Sequence, residues 1–367
     1  MFDKEKCAWL LENADAPIRY RVLRELLGDA TAARRIEPEL LSNPIVQKWL
    51  MNLQPAPPRS RFVDEHGSFD TCLENSLLKA VQLGLHAGVT PVADSMAYYL
   101  SKASQLPGKP VRKRTITSIH FLGCNLLACA GFLNGAVLDY MRESLNELYI
   151  FVRNGNYDIY CDDEERALLK GIPAVYKDRK IIKSSIVDVH GYCYPLIYDI
   201  VGLSSLYALG DQGVNQKIDT VIRYISTDEF HNTVADGYGV LPPYQGKYHT
   251  MGWDPKYPGW FDIVKFIECY NNQKILNSDR GSGLLFFAQY ISKYPPARKT
   301  QWFIDLLSYL EKYRTANGTY IFPKEFLTET TGYAVGGKHM SFGENRRKKN
   351  WLEIESTFFM QLLRYND

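Results

Sequence analysis

The chain has little net charge, no long apolar run and no paired cysteine spacing. No apolar run reaches the roughly 18 residues that a bilayer-spanning helix needs, so we expect no membrane span. The formal net charge of +2 predicts no nucleic-acid partner. The seven cysteines are odd in number and not closely paired, which argues against a disulfide framework. The charged start, residues 1–6, predicts no signal peptide, so we expect reduced thiols in a cytoplasmic protein.

Strand-like alternation is nearly absent as well, while helical periodicity runs through the chain. Segments that are apolar all round must be buried, and segments with one polar face can form a surface layer. Alternation of the two kinds predicts an all-α fold with inner helices packed against outer ones. The apolar segments are 72–85, 121–138, 196–209 and 259–270, the polar-faced ones are 91–103, 140–152 and 213–226, and 284–293, 299–313 and 351–365 complete the series.

Two internal repeats give this series its order. Residues 194–201 and 257–264 both read Tyr-Pro-x-x-(Tyr/Phe)-Asp-Ile-Val, and each leads into an apolar helical segment. A Gly-x-aromatic triplet occurs at 67–69, 155–157 and 318–320. A glycine after a helix adopts the left-handed conformation that ends it, and the ring can then hold the turn against the helix ends.

The pattern resembles the α/α-toroid superfamily of terpenoid cyclases and protein prenyltransferases, and more closely the bacterial prenyltransferase or squalene-cyclase-like proteins. The Gly-x-aromatic turns are similar to weakened Gln-and-Trp repeats, and residues 351–358 are similar to a final inner helix. The resemblance implies one toroid domain over residues 1–367, with residues 1–53 as a helical extension packed on its outside. It also implies a central cavity that holds a small molecule. The 25 tyrosines suit such a cavity, because their rings keep a polar group.

The acidic motifs of terpenoid cyclases are missing. The chain has neither the Asp-x-Asp-Asp motif that protonates an alkene nor the Asp-Asp-x-x-Asp magnesium motif. The acidic cluster at 162–165 lacks the required spacing. Whether the protein is an enzyme therefore stays open, and the sequence identifies no cofactor.

Asp199 and Asp262, the carboxylates of the repeated motif, are the first candidate catalytic residues. If each proline begins its helix, each carboxylate lies near the positively polarised helix start, facing the mouth of the cavity. Such a pair could act as general acid and base or bind a polar substrate. The alternative is structural, because aspartate favours helix starts and bonds neighbouring amides. The aromatic residues that could bind substrate there are Tyr192, Tyr194, Trp253, Tyr257 and Trp260.

Two further groups could carry chemistry. His190 precedes the first repeat and is a candidate general base, although a single histidine in a loop is often structural. Asp70, Cys72 and His249 resemble the Asp-x-Cys and distant His that ligate zinc in protein prenyltransferases, where three ligands leave a fourth position open. The chain order departs from that family, and Cys72 can equally be a core residue.

Two basic stretches have alternative interpretations. Residues 332–339 are glycine-rich and lead to four cations at 346–349, which could clamp a phosphate or carboxylate. The alternative is a solvated loop and a basic helix start, since no Gly-Lys-(Ser/Thr) phosphate loop is present. The stretch 109–114 is predicted to be an exposed connection.

Three function hypotheses remain at this point. The chain could bind or transform a small molecule in an aromatic-lined cavity, as the resemblance implies. It could be a lyase or hydrolase on a glycan-type substrate, for which paired carboxylates are suited. It could also be a non-catalytic helical-repeat scaffold that binds a protein partner, because the pattern Asp15-x-Pro17-x-Arg19 resembles such scaffolds.

Overall fold

The protein is mostly helical. A computed structural model describes residues 3–53, 65–105, 119–191, 193–234, 238–244, 247–251 and 280–365, and within these ranges it has seventeen α-helices and one two-stranded hairpin. The elements are α1 (Lys4–Asn13), α2 (Ala16–Arg21), α3 (Ala30–Ser42), α4 (Pro44–Asn52), α5 (Leu73–Gln82), α6 (Thr90–Ala103), α7 (Cys124–Cys129), α8 (Gly135–Val152), α9 (Asp163–Ala167), α10 (Ser184–His190), α11 (Ile197–Tyr207), α12 (Gln212–Ile225), α13 (Asp228–Thr233), β1 (Gly239–Tyr244), β2 (Lys247–Met251), α14 (Arg280–Ile291), α15 (Pro295–Arg298), α16 (Gln301–Leu310) and α17 (Trp351–Tyr365). Of these described helices, none is long and apolar enough to cross a bilayer.

The predicted all-α class is confirmed, and both predicted helix types occur among the described helices, while the apolar segment 259–270 lies outside the described residues. In α11 nearly every residue is buried, and α5, α7 and α14 are buried in the same way. In α12 burial is confined to one face, where Ile218, Val221, Ile222 and Ile225 lie. Helices of the first kind must be surrounded by others, and helices of the second kind form a surface.

One predicted helix is wrong at its end. The apolar segment 121–138 was expected to be continuous, but α7 ends at Cys129 and α8 begins at Gly135. Gly131 between them has φ +91°, a left-handed conformation that breaks the helix. The pattern of apolar residues does not reveal this break, because the residues on both sides of it are buried.

The buried helices pack on one another in chain order. Contacts run from α5 to α7, from α7 to α11, from α11 to α14 and from α14 to α17. The last helix, α17, contacts α1 and residues 22–26, which directly follow α2. The Arg21 guanidinium donates to the Gln82 carbonyl at the end of α5. The amphipathic helices α8 and α12 pack beside each other.

The connections before and after the buried helices differ in length. Short links follow them: residues 83–89 after α5, 130–134 after α7 and 208–211 after α11. A long connection, residues 311–350, precedes α17, whereas the short link 191–196 precedes α11. Binding and catalytic residues concentrate in loops that a rigid scaffold holds, so the starts of the buried helices are where a site is expected.

The N-terminal helices and the C-terminal segment bind each other through charged groups. The Asp15 carboxylate accepts from the Asn345 amide at 2.8 Å and lies 2.6 Å from Lys348 Nζ. The Asp15 amide in turn donates to Glu344 at 2.5 Å. The placement of residues 1–53 as an outside extension stays a prediction, and these contacts join that region to residues 344–348.

The interpretation of residues 343–349 as a solvated loop and basic helix start holds for the exposed loop 345–347 and for Lys349, but not for the helix start. The helix begins only at Trp351, and Gly343 and Glu344 are buried. The Arg346 guanidinium stacks on the Trp351 ring at 4.6 Å and donates to a backbone carbonyl, while Lys348 is bound to carboxylates. These two cations are therefore engaged within the protein.

Substituting Gly202 tests the close packing of α7 on α11. A Cβ atom there would lie 2.3 Å from Asn125 Oδ1 and 2.9 Å from Asn125 Cα, so the helices would have to separate. We expect Gly202→Ala to lower the free energy of unfolding by about 2–3 kcal/mol in urea titrations. Gly213→Ala in α12 is the matched control, because its Cβ would meet nothing closer than 3.6 Å. The control should be neutral or slightly stabilised, and equal effects of the two would contradict the close approach.

Candidate functional site

Five of the eight candidate catalytic and aromatic residues lie outside the described residues. These are Asp262, Tyr257, Trp253 and Trp260, together with Tyr192. Their roles stay predictions. The described partners from the first repeat are Asp199, Tyr194 and the preceding His190.

Asp199 lies in the first turn of α11, which starts at Ile197 rather than at Pro195. Its Oδ2 accepts from the Leu196 amide at 2.9 Å, and its Oδ1 lies 3.4 Å from Asn125 Nδ2. Only 1% of the residue is accessible. These contacts are typical of a carboxylate that stabilises the start of its own helix, as the structural alternative for Asp199 predicts. A catalytic role for Asp199 stays a prediction.

His190 and Tyr194 both pack on the ring of Phe151 in α8. Their ring centroids lie 5.4 Å and 5.3 Å from it, edge to face. Burial lowers the pKa of His190, which disfavours its charged form. Tyr194 is fully buried and also contacts Tyr238. His190 and Tyr194 thus lie close together because both contact the amphipathic helix α8.

The three candidate zinc ligands have other surroundings. Asp70 lies 3.5 Å from Lys48 Nζ and 3.7 Å from His339 Nε2. Cys72 is a buried residue at the start of α5, and His249 is an exposed residue of β2 opposite Leu241. No group of three or more His, Cys, Asp or Glu side chains in the described part of the chain could hold a metal ion.

A histidine–carboxylate pair lies where the starts of three buried helices meet. Glu74 is the second residue of α5 and is fully buried, while His66 stands in the preceding turn with 32% of its side chain accessible. His66 Nδ1 lies 2.5 Å from Glu74 Oε2. The amino-terminal turn of α5 favours the negative charge of Glu74, and the carboxylate fixes the orientation of the imidazole.

Two aromatic rings lie beside this imidazole, and a third ring packs against one of them. Tyr333 lies 5.3 Å from it and is 42% exposed, and Tyr198 packs on its edge at 6.4 Å with the hydroxyl 3.5 Å from Nδ1. Phe121, just before α7, packs edge-on against Tyr198. We refer to His66, Glu74, Tyr198, Tyr333 and Phe121 as the His66 site. It joins a titratable group to flat apolar surfaces, a combination suited to orienting a small molecule.

Asn75 connects the two loops of the His66 site. Its side-chain amide donates to the Gly67 and Phe69 carbonyls, both at 2.8 Å, and its oxygen accepts from the Ala334 amide at 2.8 Å. The residue is fully buried. The loop of His66 and the loop of Tyr333 are thereby held in one fixed relation.

Asn75→Asp should break this connection. The carboxylate would face two carbonyl oxygens in a buried position, so we expect the free energy of unfolding to fall by about 2–4 kcal/mol. In the matched Asn146→Asp variant the carboxylate would meet Lys217 Nζ, which now lies 2.6 Å from Asn146 Oδ1. That control should be unchanged or stabilised. Urea titration of both variants measures the difference, and a harmless Asn75→Asp would refute the bridging role.

The sequence pattern missed the His66 site. His66 and Glu74 are eight positions apart, and the other ring residues come from distant segments. One local signal was present: Glu74 lies at the start of a mostly apolar segment, where a buried carboxylate needs a partner.

Comparison with known protein families, with curated proteins and with solved structures finds no match for the chain.

Proposed function

We propose that the chain forms an α/α toroid that binds a small molecule at the starts of its inner helices and catalyses an acid–base reaction there. The contacts of α5, α7, α11, α14 and α17 in chain order support an inner ring, and the one-sided burial of α8 and α12 supports an outer layer. The contact of Arg21 with the Gln82 carbonyl supports closure of the ring beside α5.

The observation that carries the reaction is the pairing of an accessible His66 with a fully buried Glu74. When Nδ1–H donates to Glu74, Nε2 on the other side of the ring is the atom that takes a proton from the substrate. Glu74 then stabilises the positive charge that forms on the imidazole. This assigns the role of general base to His66, in place of His190.

The rings of the His66 site favour a substrate with a flat or ring-shaped apolar face. Tyr333 is accessible next to His66, and Phe69 in the same turn is 62% exposed. Such rings stack on apolar ring faces, including those of sugar-like compounds. A terpenoid-type cyclisation is less well supported, because the chain lacks the Asp-x-Asp-Asp acid. The relation to terpenoid cyclases and prenyltransferases therefore concerns the proposed architecture.

Native mass spectrometry after incubation with a metabolite extract tests the binding part of the proposal. We expect the wild type to retain a small molecule that Tyr333→Ala loses. Tyr98→Ala is the matched control, since Tyr98 is an exposed tyrosine of α6, and it should retain the compound. A protein that binds nothing from the extract would contradict the proposal and favour the protein-binding scaffold.

A further inference from the structure

The most exposed aliphatic side chains of the described residues come from one part of the chain. Leu168 is 80% accessible, Val189 is 74% and Val175 is 72%, and the next large apolar side chain within the described ranges is Met51 at 66%. Single exposed apolar side chains are common on protein surfaces, but three of this exposure within residues 168–189 are a local concentration. Leu168 and Val175 belong to residues 166–180, which we name the basic loop.

A small apolar cluster and one arginine hold the basic loop in shape. The Arg166 guanidinium donates to the Arg179 carbonyl at 2.8 Å and to the Lys177 carbonyl, which joins the two turns of the loop. Eleven of the fourteen residues from 167 to 180 are exposed, so the loop projects from the protein as an ordered unit. The three that are not exposed pack on a cluster beside the β1–β2 hairpin, and they are Leu169, Ile172 and Tyr176.

The basic loop carries an excess of positive charge. Residues 166–180 contain five Lys and Arg residues and a single acidic residue, Asp178. Arg166 is engaged within the loop, and Lys180 Nζ donates to a backbone carbonyl at 2.8 Å. The acidic residues 162–165 lie at the start of α9, whereas Leu168 follows its end. The exposed cations of the loop that form no ion pair with any described residue are Lys170, Lys177 and Arg179.

Exposed aliphatic side chains beside unpaired cations fit the surface of an anionic bilayer. Aliphatic side chains enter the boundary between headgroups and acyl chains, while lysine and arginine reach the charged headgroups. A protein partner fits less well, because protein interfaces are enriched in aromatic residues and depleted in lysine. The only aromatic residue of the basic loop, Tyr176, packs inward, and two of its three unpaired cations are lysines. A loop that projects also offers no groove for a peptide.

We propose that the basic loop binds the surface of a bilayer that contains anionic lipids. Leu168 and Val175 enter the acyl boundary, and Lys170, Lys177 and Arg179 lie on the headgroups. The binding is peripheral and reversible, since two aliphatic side chains and three cations supply far less free energy than a spanning helix. It weakens with added salt, because the cations stay in water. This surface is independent of the His66 site.

Sedimentation with lipid vesicles tests the proposal on the full-length wild-type protein. At about 0.1 M NaCl the protein should sediment with phosphatidylcholine vesicles that contain about 30% phosphatidylserine, and not with vesicles of phosphatidylcholine alone. Raising the salt to about 0.5 M should release most of the bound protein. A wild type that binds neither kind of vesicle, or both equally, would overturn the proposal.

A leucine variant tests whether the aliphatic side chains enter the bilayer. Leu168→Gln should weaken binding to the mixed vesicles about tenfold, since the leucine side chain no longer leaves water. Leu209→Gln is the matched control, because Leu209 is another exposed leucine that follows a helix, and it should bind like the wild type. Equal binding of the two variants would contradict the insertion of Leu168.

A double lysine variant tests the part played by charge. Lys170→Gln/Lys177→Gln should weaken binding to the mixed vesicles at least about tenfold. Lys299→Gln/Lys312→Gln removes the same charge at two exposed lysines elsewhere and should keep most of the binding. Equal losses in both double variants would show attraction by total charge alone and would overturn the proposal. Retention of the wild type on immobilised polyglutamate but not on vesicles would also overturn it and would identify an acidic protein partner.

Discussion

Glu329→Gln lowers the free energy of unfolding by about 3–5 kcal/mol, the largest effect that we expect from a single substitution. The reason is Lys79, whose side chain is completely buried in α5. Its Nζ donates to Glu329 Oε2 at 2.6 Å, to the Ser341 carbonyl at 2.7 Å and to Ser341 Oγ at 2.8 Å. Without the carboxylate, the ammonium group would be left buried with neutral acceptors only.

The shifted pKa values of the pair indicate the same dependence. Lys79 and a hydrogen bond from His339 hold the pKa of Glu329 well below its usual range, despite the burial of the carboxyl. Burial lowers the pKa of Lys79, and Glu329 opposes that shift. The charged pair is stable because each charge offsets the desolvation of the other.

The double variant Lys79→Met/Glu329→Gln is the control for this prediction. It removes both charges, so it should recover a large part of the lost stability. Urea denaturation is the suitable measurement, since urea leaves the ionic strength unchanged. A Glu329→Gln protein within about 1 kcal/mol of the wild type would contradict the account of this cluster.

Glu355→Gln should stabilise the protein, and by an amount that grows with pH. Glu355 in α17 is fully buried, and its Oε1 accepts from the Phe342 and Glu344 amides at 2.8 Å and 3.2 Å. Burial raises the pKa of its carboxyl to about 7. Glutamine keeps an acceptor oxygen for the two amides and removes the negative charge.

The sign of the pH dependence follows from the raised pKa. Between about 4.5 and 7 the folded protein binds a proton at Glu355 that the unfolded chain has released, so the stability falls as the pH rises through this window. The variant lacks this loss. We expect it to match the wild type near pH 4.5 and to be more stable by about 1–3 kcal/mol at pH 8.

Parallel urea titrations at the two pH values measure this effect. The matched control is Glu325→Gln, which neutralises an exposed carboxyl and should change the stability little at either pH. A Glu355→Gln variant with the same stability difference at pH 4.5 and pH 8 would show that the carboxyl is not held protonated by the fold.

The sequence predicted which helices are enclosed, but it did not predict the contacts between helices. The alternation of burial predicted which helices are enclosed, and left-handed Gly155 and Gly318 occur at two of the three Gly-x-aromatic turns. The end of α7 at Cys129 was missed, because a glycine turn between two apolar stretches leaves the pattern unchanged. The toroid itself stays a proposal, since periodicity does not determine how helices are arranged in space.

The candidate site was harder to predict, for a physical reason. Its groups meet only after the chain has folded: Tyr198 is 132 positions from His66, and Asn75, which connects the two loops of the site, is 259 positions from Ala334. The repeated motif drew attention to Asp199, whose carboxylate bonds the amide of its own helix start. The repeated motif thus identified a residue that stabilises a helix start, whereas the His66–Glu74 pair does not belong to any repeat.

Turnover of a metabolite extract by wild-type protein, His66→Gln and His190→Gln tests the central claim most directly. Untargeted mass spectrometry would follow which compound is consumed and at what rate. We predict that the wild type consumes a compound, that His66→Gln is slower by about 100-fold or more, as expected on loss of a general base, and that His190→Gln retains most of the rate. A His66→Gln protein as active as the wild type would contradict the assignment, and loss of turnover in His190→Gln alone would return the catalytic role to His190.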